Sequence, residues 1–144
     1  MEYIVAAESD IGIAKSVNQD SLCVKVAETE LGNAALLLIC DGMGGLAMGE
    51  LASAEVVQSF SEWFENDFPK HLRSFDREDI ARQVAELLSS LNEKLIAYGE
   101  ANRLTMGTTA TGMIIFNQQY LSFHVGDTRI YKVSHQLSCL TEDH

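Results

Sequence analysis

The apolar run at residues 34–40 (Ala-Ala-Leu-Leu-Leu-Ile-Cys), closed by Gly32-Asn33 before it and Asp41-Gly42 after it, constrains the fold more than any other stretch of this chain. It falls far short of the roughly 20 apolar residues that a membrane-spanning helix needs. Its length and its flanking turn residues read as a β-strand. Apolar side chains at successive positions read as a strand buried on both faces. Gly42, Gly44, Gly45 and Gly49 then break regular structure ahead of a helix.

Other elements arrange themselves around that strand. Residues 3–7 and 22–27 read as strands preceding it. From Glu50 to about Phe64, the positions Ala52, Val56, Phe60 and Trp63/Phe64 make one apolar stripe and predict a helix. Residues 66–75, with Pro69 inside, read as a linking loop. Asp76 then caps a second helix, with Glu78 and Asp79 at the positive end of its dipole. Its stripe is Ile80, Val84, Leu87/Leu88, Leu91 and Leu95, and Gly99 can end it. Strands are predicted at 108–116, 120–125, 130–133 and 137–140, with a turn at 117–119. Strands, two helices, then antiparallel strands argue for an α+β or layered-sandwich fold.

Composition bounds the class. With 144 residues, 47% hydrophobic, 22% charged and a single Pro, residues 1–144 read as one globular domain. Ten Lys and Arg against 21 Asp and Glu leave a net charge of −11, which repels nucleic acid and anionic membrane, so neither is expected as a partner. The three cysteines are odd in number and lack CxxC spacing, and Cys23 and Cys40 sit in apolar runs. They read as buried free thiols of a reducing, cytoplasmic setting. The N-terminal residues show neither the basic region nor the apolar core of a signal peptide.

Four stretches can carry chemistry. In Asp41-Gly42-Met43-Gly44-Gly45 a carboxylate follows a buried strand and precedes glycines. Asp41 can therefore reach a cation and the Gly42 carbonyl can join it, or Asp41 can simply cap a tight turn. In 12–21, Lys15 precedes Asp20 by five positions in a polar stretch that also suits a surface loop with an Asx turn at Asn18. Val125-Gly126-Asp127-Thr128-Arg129 sets an acid at a strand end, or makes a hairpin turn with an Asp–Arg surface pair. Met106-Gly107-Thr108-Thr109 brings small residues and hydroxyls into a strand, as β-propensity and close packing also would. His71 and His135 read as solvated, and His124 as a packed side chain. No GxSxG, Walker A or HExxH pattern occurs.

In order and spacing, these motifs resemble the metal-dependent Ser/Thr protein phosphatases of the protein phosphatase 2C family, in their bacterial form. The resemblance takes in Asn18-Gln19-Asp20-Ser21, Asp41 to Gly45 with Gly49-Glu50 and Ala52-Ser53, Met106 to Thr109, Val125 to Arg129 with Tyr131, and Leu140-Thr141-Glu142-Asp143-His144. It implies a four-layer α-β-β-α sandwich, two antiparallel sheets flanked by helices. It implies hydrolysis of phosphoserine and phosphothreonine on proteins, opposing a Ser/Thr kinase, at a pair of Mn²⁺ or Mg²⁺ ions that bind phosphate and activate a water. By resemblance Asp41 bridges both metals, the Gly42 carbonyl binds one, Asp20 supports the second, and Asp127 helps to hold a third, weaker one.

Two positions depart from the family pattern. Lys15 stands where an Arg usually grips the substrate phosphate, and keeps the charge without the planar two-point contact. Met43 stands where some relatives carry a proton-donating His. The resemblance also implies further elements, a flap, a Ser-Asp-Gly motif and a final Asp pair, so the chain is expected to be the N-terminal portion of a longer domain. As such it is expected to bind metal weakly, to turn over little, and to self-associate through uncovered edges and faces. The alternative is a catalytically inactive, phosphatase-like binding module.

Overall fold

The computed structural model of the chain describes residues 2–45 and 48–144. Two strands open it, β1 (Asp20–Thr29) and β2 (Gly32–Gly44). Helix α1 (Met48–Asn66), a 3-10 turn (Phe68–His71) and helix α2 (Arg77–Asn102) follow. β3 (Met106–Thr108), β4 (Ala110–Phe116), β5 (Gln119–Val125), β6 (Tyr131–Val133) and β7 (Leu137–Cys139) complete the order. The main sheet runs β1-β2-β4-β5, every pair antiparallel, with β3 beside the end of β2. β6 and β7 form a second, two-stranded antiparallel sheet. The α+β class and the two antiparallel sheets are as the sequence predicts. Of the expected layers, the described residues build a helix pair, the main sheet and the small second sheet.

Alternation along the strands sorts the main sheet into two faces. Ala34, Leu36, Leu38 and Cys40 of β2, Cys23 of β1, Ala110, Ile114 and Phe116 of β4 and Phe123 of β5 are buried together with the stripe of α1. Ile80, Val84 and Leu91 of α2 close that core, as their spacing predicts. The opposite face is less covered. Ile39 is 44% exposed, and Val24, Val26 and Tyr120 stand open beside it. The strand at 34–40 is therefore sealed along its helix face. On the other face Ala35 is covered but Leu37 and Ile39 are not fully so, the second sheet bringing Ile130 and Tyr131 up to Leu37, Ile39 and Met113. Apolar content alone cannot tell which side of a strand finds a cover.

Several boundaries differ from the sequence reading. Residues 3–7 are not a strand: among the described residues none pairs with them, Ile4 is 94% exposed, and the Tyr3 hydroxyl lies 2.8 Å from the Asn117 carbonyl. β2 does not stop at Asp41 but continues to Gly44, because β3 offers it a partner at Gly42↔Thr108. α2 runs past Gly99 to Asn102 and ends where Arg103 adopts a left-handed conformation. Asp76 does cap it, accepting from the Glu78 N–H at 2.9 Å.

The stretch 66–75 links the two helices, as expected, and is anchored in the core. Phe68 is 1% exposed and packs on Trp63 and Phe64 at ring separations of 5.3 and 5.2 Å, and Phe75 carries the cluster on to Phe116 at 5.1 Å. His71 is half-buried and paired rather than freely solvated. Its Nδ1 lies 3.1 Å from Asp79, and Gln83 joins Asp79 (2.9 Å) to the Trp63 indole N–H (3.1 Å). An aromatic anchor and a polar relay thus turn a Pro-containing loop into the joint between the helices. Phe68→Ala is expected to lower stability by about 3–5 kcal/mol, the usual cost of emptying a large aromatic site, read as a reduced denaturation midpoint with an unchanged m-value.

Candidate metal centre

Pairing of β1 with β2 sets Asp20 directly opposite Asp41 at one end of the less covered sheet face. Glycine makes this approach possible. A Cβ on Gly42 would stand 2.0 Å from the Gly49 carbonyl oxygen, and one on Gly49 would stand 2.6 Å from the Met43 nitrogen. The first turn of α1 therefore sits hard against the end of β2. The Gln19 carbonyl accepts from both the Gly42 N–H (3.2 Å) and the Ser53 hydroxyl (2.7 Å), while the Gln19 side chain donates to the Gly44 carbonyl (2.8 Å). Ser53, fully buried, also meets Ser21 at 2.8 Å. Backbone groups, two hydroxyls and the Gln19 amide hold β1, β2 and α1 together around the two acids.

Burial holds the Asp41 carboxyl above the usual carboxylate range. Its hydrogen bond with Asp20 and the like charge of Asp20 push the same way, and the Lys15 ammonium pulls back. The structure thus brings Lys15, Asp20 and Asp41 within electrostatic reach of one another, three of the residues singled out in the sequence. Two facing carboxylates must share a proton or a cation. Hard oxygen donors suit Mg²⁺ or Mn²⁺. Cys40 does not compete, since burial, helped by Cys23, pushes its thiol up to about 12. The donor chemistry therefore fits a divalent cation held by Asp20 and Asp41.

Not everything converges. Among the described residues, no three His, Cys, Asp or Glu side chains gather as a ready cage. Asp127 is exposed in the turn after β5, and its neighbour Thr128 lines a cavity of about 280 Å³ with Asp20 and Asp41. The alternative reading of this turn, an Asp127–Arg129 surface pair, does not hold. Arg129 instead grips Asp143 with two hydrogen bonds of 2.9 and 2.6 Å, lowering the Asp143 carboxyl. His144 bonds back to Gly126 through its N–H (2.9 Å) and ring (3.2 Å). The final motif is thus a strap across the 126–130 turn. His124 is packed, as expected, between Thr111 (2.8 Å) and the Glu142 carbonyl (2.8 Å).

The sequence reading passed over Glu8 and Asp10, which line the same cavity. The signal was the Asp10-Ile11-Gly12 spacing: Asp10 accepts from the Gly12 N–H at 2.6 Å, and Gly12 has φ +76. With the Asp41 pKa raised in the fold, the metal-free chain keeps this group's contribution at low pH and loses it as pH rises through that pKa. Asp41→Asn is accordingly expected to melt a few degrees higher than the parent near pH 7 in EDTA. The difference should close on acidification, as scanning calorimetry at several pH values would show.

Comparison with known proteins places this geometry. A family signature described as protein phosphatase 2C matches residues 13–144. The serine/threonine phosphatase stp of Listeria monocytogenes is 31% identical over 116 residues, covering 78% of this chain and 44% of that protein. A crystal structure of Stp1 from Staphylococcus aureus superposes with TM-score 0.78 at 28% identity, over 94% of this chain and 51% of that one. The catalytic domain of a serine/threonine protein phosphatase PstP, solved with two manganese ions, gives 0.76 at 28% identity, over 96% and 54%. The chain spans about half the length of these relatives or less. The signature spans nearly the whole length and the superposed folds agree with it, and the chain belongs to the protein phosphatase 2C family.

Proposed function

We propose that this chain forms the N-terminal part of a phosphoprotein phosphatase that hydrolyses phosphoserine and phosphothreonine at a pair of Mn²⁺ or Mg²⁺ ions. The observation that carries this reading is the confrontation of Asp20 with Asp41, with Lys15 acting on the same carboxyl. The manganese pair in the PstP catalytic domain supports Mn²⁺ in particular. Such ions, when bound, supply Lewis acidity toward a phosphate ester and its attacking water.

The residues of this chain then have separate tasks. Asp41, set back in the sheet, and Asp20, at its edge, hold the cations, with the Gly42 carbonyl as a further oxygen. Lys15 attracts the substrate phosphate as a point charge rather than a fork. Asp127, carried on the strapped turn, would help to hold a third, weaker cation. Met43 is 58% exposed beside the centre and has no proton to give, so the leaving group takes its proton elsewhere. Substrates are phosphorylated proteins made by a Ser/Thr kinase, and free thiols at Cys23, Cys40 and Cys139 support a cytoplasmic setting. The open sheet face supports self-association of this 144-residue chain. A second reading, an inactive phosphoprotein-binding module, is favoured by the absence of a ready cage of three His, Cys, Asp or Glu side chains among the described residues.

Titration calorimetry with Mn²⁺ followed by phosphothreonine-peptide hydrolysis separates the two. Weak Mn²⁺ binding abolished by Asp41→Asn, with traces of turnover lost in EDTA, is the result expected. Mn²⁺ binding indifferent to Asp41→Asn would refute the site. Lys15→Arg is expected to tighten inhibition by inorganic phosphate several-fold and Lys15→Ala to weaken it, a direct check on the anion-binding task.

A further inference from the structure

The Met106–Thr109 motif, which close packing would also explain, sits against the centre. In the register of β2 with β3 and β4, Gly42 faces Thr108 and Ile39 faces Thr111, so the break between β3 and β4 falls beside Asp41. There the usual exchange of backbone hydrogen bonds is altered. The Thr109 N–H donates to the Asp41 carbonyl at 2.9 Å, but the Asp41 N–H donates to the Thr109 hydroxyl at 2.8 Å. The Thr109 carbonyl is occupied by the Thr108 hydroxyl at 2.9 Å. Thr109 is 3% exposed, so water cannot replace the hydroxyl. Its methyl faces the other way: a Cβ added to Gly126, which has φ +114, would stand 2.5 Å from it.

From this geometry we infer that Thr109 is a positioning residue of the metal centre, with two separable tasks. Its hydroxyl orients the Asp41 peptide, and its methyl supports the turn that carries Asp127. The metal side of this inference rests on the function proposed above; the hydrogen-bonding side does not. Each task follows from one branch of the side chain. Valine retains a methyl and removes the acceptor, leaving a buried N–H unpaired. Serine retains the acceptor and removes the methyl.

The test uses the full ¹⁵N-labelled chain with Thr109→Val, Thr109→Ser and Ile114→Val, the last a core change away from the centre. Amide exchange is followed at Asp41 and Gly126, and Mn²⁺ affinity through paramagnetic broadening at Asp20, Asp41 and Gly42. Thr109→Val is expected to speed Asp41 exchange and weaken Mn²⁺ about tenfold, in the range known for lost outer-shell partners, while sparing Gly126. Thr109→Ser is expected to restore Asp41 exchange and Mn²⁺ affinity while loosening Gly126. Ile114→Val should move neither site selectively. Equal changes at Asp41 and Gly126 in both Thr109 variants, or a Thr109→Val profile matching Ile114→Val, would overturn the inference. No broadening in the unsubstituted chain, or broadening that Asp41→Asn leaves intact, refutes the metal reading instead, and Asp41 exchange still decides the orienting task.

Discussion

The contact of Gly42 with Gly49 is the constraint on which the centre depends. With Gly42 lying where any side chain would overlap the Gly49 carbonyl, the start of α1 is pressed onto the end of β2. That closeness lets Ser53 reach the Gln19 carbonyl and Ser21, which ties the start of β1 to the same point. Asp20 and Asp41 are the outward-facing consequence. A helix docked even slightly farther away would leave a buried hydroxyl and a strand end without partners, at a cost comparable to a lost buried hydrogen bond each.

The two sides of the main sheet do different work. The helix side supplies stability through a continuous core from Phe123, stacked on Phe60 at 5.0 Å, to the aromatic cluster around Phe68. The other side carries the chemistry at one end and open apolar surface along the rest. An acidic pair belongs on the poorly covered side, since only there can a hydrated cation or a phosphate approach it. The same exposure keeps the charged form of Asp41 from being prohibitively unfavourable, while its partial burial beside Asp20 keeps it avid for a proton or a metal.

Much of the architecture was legible because local signals and tertiary demands coincide. The stripes of both helices, the Asp76 cap, the hairpin turn at Asn117 and the antiparallel strands after it all appear where spacing puts them. What was not legible shares a cause. Residues 3–7 have strand-like composition but no neighbour among the described residues to pair with. Residues 66–75 have loop-like composition but include Phe68, which the core takes in. His71 and Arg129 found partners at Asp79 and Asp143 that chain order alone does not favour. In each case the deciding partner is another segment, invisible to a window sliding along the chain.

The sequence by itself determined the α+β class and the family, because ordered motifs and residue periodicity are properties of the chain. Only the tertiary structure decided that Asp20 and Asp41 share one sheet end, that Asp127 stands apart on a strapped turn, and that Thr109 touches both regions. Those facts depend on strand register and on close approach through glycine, in which a shift of one residue would turn the acids to the opposite face.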